Sequence, residues 1–372
     1  MNPQLQPAPE MPVRPTVWPV RVARFAVGVP VAWMLGGLAC TGLVSGVLAL
    51  GFVMRWMAWT TERVWWAQSA REAPFDADAP RWILAADPGW RGWIGGLLAN
   101  LRVGVGGTVH SLLALLPSAA LWMFAWRYGW DNSFTKGYDM RSIGPLTGLA
   151  GVAVFVGTML VLPLAQARYA TTRSWRAFWD VGLLATLVRR SWTGAVPLAA
   201  AHALAGIPFT FMWIYPVFAP IARPEMADWT DAHLLAWLRS YFLVWAILGF
   251  ATTFALKQLA ARWYASALLD AVRSGTVSSR QLDPVEVARL TSLGLLRVKD
   301  LSHRHPLVRA ADWTASAVGR SIGLASAAFL WGFVAFQLFT GAFFHYRPVI
   351  GWVNQPLLLV PAFSHVPAHL TE

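Results

Sequence analysis

The chain has 372 residues, of which 56% are hydrophobic and only 13% are charged, and its mean hydropathy is +0.47. Soluble domains carry about a quarter charged residues, so a water-soluble fold could not bury this much apolar surface, and the composition indicates a membrane protein. The net charge of +12 lies between apolar stretches, which favours lipid headgroups over nucleic acid as the anionic partner, and the single cysteine, Cys40, excludes an intrachain disulfide.

The predicted elements begin with a tail rich in Pro and Arg over residues 1–24, followed by an apolar stretch over 25–54. A membrane-spanning helix needs about 20 mostly apolar residues. Five later stretches meet this requirement, so we expect an all-α, polytopic transmembrane protein with about six spans. These five are 103–126, 144–166, 194–222, 240–256 and 321–344.

The stretch 25–54 leaves two topologies open. It contains Pro30 and, among its glycines, Gly36, Gly37, Gly42 and Gly46, and at 30 residues it is long for one crossing and short for two. A single crossing is the simpler interpretation. A re-entrant hairpin would instead leave the N-terminal tail on the same side of the membrane as the loop 55–102, and its backbone would have to be buried in protein.

Basic residues predict the orientation of the spans. The loops 55–102, 167–191 and 257–320 hold twenty-one Lys and Arg residues, whereas the opposite connections and the tail after the last span hold six. By the positive-inside rule the three basic loops are cytoplasmic, and we expect the protein to lie in a bacterial inner membrane.

Two of the basic loops share a sequence pattern that suggests a parallel internal repeat. The first begins with Trp90-Arg91-Gly92-Trp93 and the second with Trp175-Arg176-Ala177-Phe178, and each leads through a Gly-Leu-Leu-Ala stretch into a pair of spans. Apolar residues recur at helical spacing in the second copy. We therefore expect amphipathic helices in the headgroup plane, with membrane lipids as their partner. The predicted lipid-interface residues are Trp90, Arg91, Trp93, Trp175, Arg176, Phe178, Trp179, Arg189 and Arg190.

The stretch from Pro163-Leu164-Ala165 to Arg168-Tyr169-Ala170-Thr171-Thr172, running on into Trp175, resembles a family of bacterial multi-pass proteins. These are similar to the membrane domain attached to some glycerophosphodiester phosphodiesterases. The resemblance covers about residues 25–210, and 257–320 and the remaining C-terminal part depart from it. It implies a membrane-embedded helical domain without a known catalytic centre, and it assigns no functional residue.

The basic loop 257–320 is the longest polar segment. We expect the fifth span to continue as a helix to about Arg273, and a second helix to open at Asp283-Pro284, with Glu286 completing a capping box. The tail over 345–372 is interrupted by prolines, among them Pro348, Pro356 and Pro361, and we expect it to lie along the outer interface.

Chemically competent residues are few. No Asp or Glu lies inside a predicted span, and the ionisable exceptions are His110 and His202, at similar depth. They could bond neighbouring helices, line a cavity, or ligate a b-type haem. We predict no metal site. Four prolines interrupt the span 194–222, which could mark a substrate cavity or simply a kinked helix.

Abundant Trp and Arg, a broad apolar surface and the lack of a catalytic motif favour a non-catalytic role. We expect an accessory, assembly or scaffold subunit that packs with other membrane proteins, and no enzyme. The alternative is a transporter or permease with its cavity at the fourth span, and a third possibility is a haem-bearing electron carrier.

Overall fold

The computed structural model describes residues 31–69, 75, 80, 90–135, 143–296, 306–345 and 357–363. Within them the chain is helical and contains no strand, and six helices are long and apolar enough to cross a membrane. The prediction of an all-α, multi-pass membrane fold is confirmed. Residues 31–39 form α1, and the other helices are α2 (Leu43–Ala67), α3 (Trp90–Thr135), α4 (Ile143–Thr172), α5 (Trp175–Trp179), α6 (Val181–Arg190), α7 (Trp192–Ala222), α8 (Asp231–Arg273), α9 (Pro284–Ser292) and α10 (Pro306–His345).

The apolar stretch 25–54 is not one continuous helix. A turn at residues 40–42 separates α1 from α2, and Gly42 in extended conformation precedes the first residue of α2. On α1, Trp33 packs on Phe254 of α8, with ring centroids 5.9 Å apart, whereas Gly37 lies against Ile247, earlier in α8. The helix α1 therefore runs antiparallel to α8.

The helix α2 runs in the opposite direction. Phe52 stacks on Phe250, and Trp56 contacts Phe254 at 5.5 Å between centroids, so α2 is parallel to α8. The chain thus reverses at 40–42, as in the hairpin alternative, and the first helix long enough to cross is Leu43–Ala67. The break has a local cause, because glycine loses more conformational entropy in a helix than any other residue. The tail 1–24 lies outside the described residues.

The helices α3 and α4 form an antiparallel hairpin, and α2 crosses α3 closely enough for backbone contact. A Cβ on Gly51 would meet the backbone of Asn100, and one on Gly104 would meet the backbone of Val47. Only glycine permits this approach. The first copy of the predicted repeat is therefore not a separate interfacial helix, because residues 90–102 are the opening turns of α3 itself.

On the side of the predicted basic loops, here called the basic side, the bundle ends in a compact helical layer. The short helices α5 and α6 connect α4 to α7, and α8 continues to Arg273 as predicted. Helix α9 begins after Asp283 with the predicted capping box, and Gly294 follows it at φ +69°. Residues on several faces of α8 between Ala260 and Val272 are buried, so this half of α8 is the centre of the layer.

Part of the tail after α10 is buried in the bundle. Residues 357–363, here called the inserted segment, are non-helical, and Leu358, Leu359, Val360 and Phe363 are at most 2% exposed. The Phe363 N–H donates to the Cys40 carbonyl at 2.9 Å, so the segment pairs with the turn of the N-terminal hairpin. The prediction of an outer interfacial tail is wrong for these residues. Their side chains are apolar, and polar groups of α4 and α8 bind the backbone carbonyl of Leu358.

Candidate functional site

The candidate site lies where the inserted segment meets α3, α4 and α8. Lys257 of α8 is 3% exposed and its Nζ donates to Gln166 Oε1 and, at 2.9 Å, to the Leu358 carbonyl. The Gln166 Nε2 donates to the same carbonyl and to Ser111 Oγ, both at 2.9 Å. The Leu358 carbonyl therefore accepts two bonds, which satisfies a non-helical peptide group inside an apolar bundle.

The acceptors of Lys257 are both neutral, one a carboxamide oxygen and the other a peptide carbonyl. The ion pairs between described residues involve Asp180, Glu286 and Glu62, and none of them includes Lys257. A buried ammonium group without a counter-ion is costly, because its lost hydration is not replaced by an opposite charge. The site thus holds a lysine amino group without a carboxylate partner among the described residues, enclosed by α3, α4, α8 and the inserted segment.

Sequence reasoning missed Lys257 and Gln166, although the predicted boundaries contained a signal for both. Gln166 is the last residue of the predicted span 144–166, and Lys257 directly follows the predicted span 240–256. We assigned Lys257 to the basic cytoplasmic loop, at the start of the helix that continues the fifth span. The structure places its amino group inside the bundle, because α8 remains buried beyond the apolar stretch.

A second buried polar cluster lies nearby on the basic side, centred on Arg168. Its Nε and Nη2 bind the two carboxylate oxygens of Glu286 at 2.8 and 3.1 Å, and its Nη1 binds Asp180 at 3.0 Å. Tyr264 OH also donates to Glu286. Arg168 is 1% exposed and Glu286 is fully buried.

All five N–H groups of Arg168 have acceptors, since the carbonyls of Ala177 and Gln281 take the remaining two. Glu286 also accepts from the Asp283 N–H at 2.8 Å, which closes the capping box of α9. The cluster therefore joins α4, the α5–α6 junction, α8 and α9. Its polar groups are hydrogen-bonded to one another and to nearby backbone groups, so we interpret it as a structural clamp that fixes the helical layer.

The two predicted histidines are not brought together. His110 of α3 packs edge-on against Tyr169 and at a tilt against Phe178, and its Nδ1 accepts a bond from Trp179 Nε1 at 3.4 Å. His202 of α7 is 3% exposed, its Nδ1 lies 2.9 Å from its own helix carbonyl at Leu198, and its ring packs 4.5 Å from Trp331. Because different neighbours cover each ring, the haem interpretation has no geometric support among the described residues.

Eight of the nine predicted lipid-interface residues are exposed. Trp90 pairs with Arg91, and Trp175 with Arg176, each guanidinium lying 5.6 Å from the ring centroid. The exception is Phe178, which is 2% exposed because it packs on His110 and Tyr169 rather than on lipid. The exposed residues are Trp90, Arg91, Trp93, Trp175, Arg176, Trp179, Arg189 and Arg190.

The apolar face of the predicted amphipathic helix is also buried in protein. In α6, Leu183, Leu184 and Leu187 are at most 5% exposed, and they belong to the main hydrophobic core with residues of α8. This helix therefore seals the helical layer, and its exposed residues are Val181 and Gly182 at the start and Arg189 and Arg190 at the charged end.

The ten-residue stretch from Pro163 to Thr172, on which the family resemblance rests, is buried along its whole length. It supplies Gln166 to the site and Arg168 to the clamp, so it is the centre of the molecule rather than a surface motif. The resemblance itself stays a prediction. The chain matches no family model, no curated protein and no solved structure.

Proposed function

We propose that the chain is a membrane transport protein of the permease type, whose solute site is centred on Lys257 and takes a small anion. The observation that carries this proposal is a buried lysine amino group bound to neutral acceptors, one of which belongs to a non-helical segment. Ionisable residues inside membrane bundles mark solute and ion pathways by default. An anion at this position would supply the missing counter-charge.

Two interrupted segments meet next to the site, which further supports transport. The N-terminal hairpin turns at 40–42, and the inserted segment bonds to that turn through Phe363 and Cys40. Val360 and Pro361 lie against Gly46 in the first turn of α2, whose N-terminus carries a partial positive charge. Transporters commonly place such discontinuous backbone around the substrate, because its free polar groups can bind solute.

In this arrangement the Leu358 carbonyl occupies the position that a solute oxygen would take. A carboxylate or phosphate could accept bonds from Lys257 Nζ and Gln166 Nε2 in its place. The inserted segment would then act as a plug that withdraws when solute binds. The donors stay on the long helices α4 and α8 while the plug moves, so the binding groups remain positioned.

Uptake by proteoliposomes tests the proposal, with labelled phosphate, sulfate, succinate and glutamate as probes. We expect the wild-type protein to accumulate at least one anion, and Lys257→Met to lose uptake by about tenfold or more, as for loss of a charged contact to the solute. The control Arg239→Met removes an exposed positive charge from the same helix and should transport like wild type.

Equal uptake by Lys257→Met and wild type would refute the solute site. Failure of all four anions to enter, together with a stable hetero-complex in native mass spectrometry after gentle extraction, would favour the accessory-subunit role instead. One observation supports that second candidate. In the most apolar stretches of α7 and α10 only 22% of the residues are buried. These helices present Phe211, Trp313 and Phe329 outward at 67–77% exposure.

A further inference from the structure

Three arginines from three elements converge at the basic-side end of α4. Arg55 of α2 donates its Nη1 to Asn100 Oδ1 at 2.8 Å, two residues before Arg102 on α3. Arg173 follows α4 directly and lies within electrostatic range of both Arg55 and Arg102. The group Arg55, Arg102 and Arg173 is here called the arginine cluster.

The packing of α3 on α4 fixes the spacing of the cluster. A Cβ on Gly106 would touch the Tyr169 hydroxyl, so residues 106 and 169 are neighbours across the two helices. Arg102 lies one turn before Gly106, and Arg173 one turn after Tyr169. Because the helices are antiparallel, these two turns lie side by side. The glycines at the α2–α3 crossing bring Arg55 to the same place.

The backbone of Arg173 has a conformation that favours glycine, which indicates that the arginine side chain has a role at this position. Its φ is +58°, the left-handed conformation, and its N–H closes the end of α4 on the Tyr169 carbonyl at 2.8 Å. Glycine is the usual residue at such a helix end, and a longer side chain is strained by about 1 kcal/mol or more. Strained non-glycine residues cluster at binding and switch sites.

Arg102 and Arg173, the exposed members of the cluster, form no ion pair with a carboxylate among the described residues. Guanidinium groups bind phosphate oxygens through paired N–H donors in a fixed geometry. Three of them at one point match a phosphate group better than a single carboxylate.

An apolar stripe leads from the cluster into the membrane-spanning part of α3. Val105, Val109, Leu113 and Leu116 follow Arg102 at helical spacing on one face, and each is 45–49% exposed. An acyl chain could lie along this stripe while its headgroup phosphate remains at Arg102. The amphipathic order, charge first and apolar surface after it, is that of a phospholipid.

We propose that the arginine cluster is a binding site for the phosphate of an anionic phospholipid, with an acyl chain along the exposed face of α3. The site is separate from Lys257 and does not depend on transport. Its occupant ties α2, α3 and the end of α4 together at the bilayer surface.

Native mass spectrometry of protein released from nanodiscs tests the site, with phosphatidylcholine alone or mixed with phosphatidylglycerol as probes. We expect wild type to retain phosphatidylglycerol, and Arg102→Gln/Arg173→Gln to retain about tenfold less, since each basic residue near a membrane surface contributes appreciably. The matched control is Arg189→Gln/Arg190→Gln, which removes two exposed basic residues on the same side and should change retention less than threefold, about the scatter of such surface effects.

Equal losses in the two double variants would overturn the proposal, because they would show general attraction of basic residues to anionic lipid. Loss of retained phosphatidylglycerol on adding excess inorganic phosphate would also overturn it, since it would show a site for a soluble anion. A further variant, Arg173→Gly, relieves the backbone strain and should raise thermal stability while lowering lipid retention. Unchanged lipid retention in Arg173→Gly would count against the site even if the double variant misfolded.

Discussion

At the residue scale, the two buried Lys and Arg side chains among the described residues differ in the groups that surround them. Arg168 is surrounded by two carboxylates and two carbonyls, so its charge is compensated within the fold. Lys257 is bonded to neutral groups, and no carboxylate pairs with it among the described residues. The first arrangement is expected of a structural clamp, and the second of a group that exchanges partners during function.

The clamp leads to a stability prediction. Arg168→Met leaves the buried carboxylate of Glu286 without its cation, and breaking such a pair costs about 3–5 kcal/mol. The double variant Arg168→Met/Glu286→Gln should recover most of this loss, because the oxygen of a neutral glutamine can accept from the Asp283 N–H while its amide N–H donates to the Tyr264 hydroxyl. Chemical unfolding in detergent measures both free energies.

The surface pair of Arg289 and Glu62 is the control for this experiment. Their atoms are 3.4 Å apart and the arginine side chain is 55% exposed, so Arg289→Met should cost at most about 1 kcal/mol. If Arg168→Met cost no more than Arg289→Met, the clamp interpretation would be wrong.

The sequence contained part of this residue-level information. The capping box of α9 is local, so Asp283 and Glu286 could be assigned from a four-residue pattern. The second partner of Glu286 could not, because Arg168 is 118 positions away and no local pattern joins them. Lys257 was missed for a related reason, since its acceptors lie on α4 and on the inserted segment.

At the element scale, glycine determines where helices approach one another. Gly51 and Gly104 bring α2 and α3 into backbone contact, and Gly194 and Gly323 each lie under a tryptophan ring. The sequence near 104–107 is rich in glycine, which is typical of close helix packing, and Gly104 makes such a contact with the Val47 backbone. The sequence could not identify the partner helix, because small residues indicate close approach without saying to what.

A pair of glycine substitutions tests this packing. Gly104→Ala should destabilise the protein, since the new Cβ would meet the Val47 backbone, which cannot rotate away. Gly157→Ala places a Cβ in open space on α4 and should stabilise the helix by up to about 1 kcal/mol. Thermal unfolding midpoints in one detergent compare the two variants. Destabilisation by both, or by neither, would contradict the assigned packing.

At the scale of the whole molecule, the N-terminal hairpin changes the topology. Because α1 and α2 run in opposite directions beside α8, the start of α1 faces the basic side. The sequence left a single crossing and a hairpin both open, because hydropathy reports how apolar a stretch is and not where it turns. The contacts of Trp33 and Trp56 with one phenylalanine, Phe254, decide between the two.

The hairpin gives a topology prediction. A protease-cleavable tag placed before residue 1 should be cut from the same side of the membrane as a tag inserted in the loop between α2 and α3. Protease added to one face of sealed, oriented vesicles makes the comparison, and a tag between α7 and α8 reports the opposite face. Cleavage of the N-terminal tag together with the α7–α8 tag would show a single crossing.

The order of synthesis gives the inserted segment a further consequence. Residues 357–363 leave the ribosome after every helix that surrounds them, yet they fill the space between α4 and α8 and bond to Gln166 and Lys257. The bundle must therefore keep this space open until residues 357–363 emerge, although chains generally fold from the N-terminal part onward as they are synthesised. Closure of the interior waits for the inserted segment, and a ribosome stalled within α10 would display a loosely packed bundle in which Lys257 has not yet bonded to Leu358.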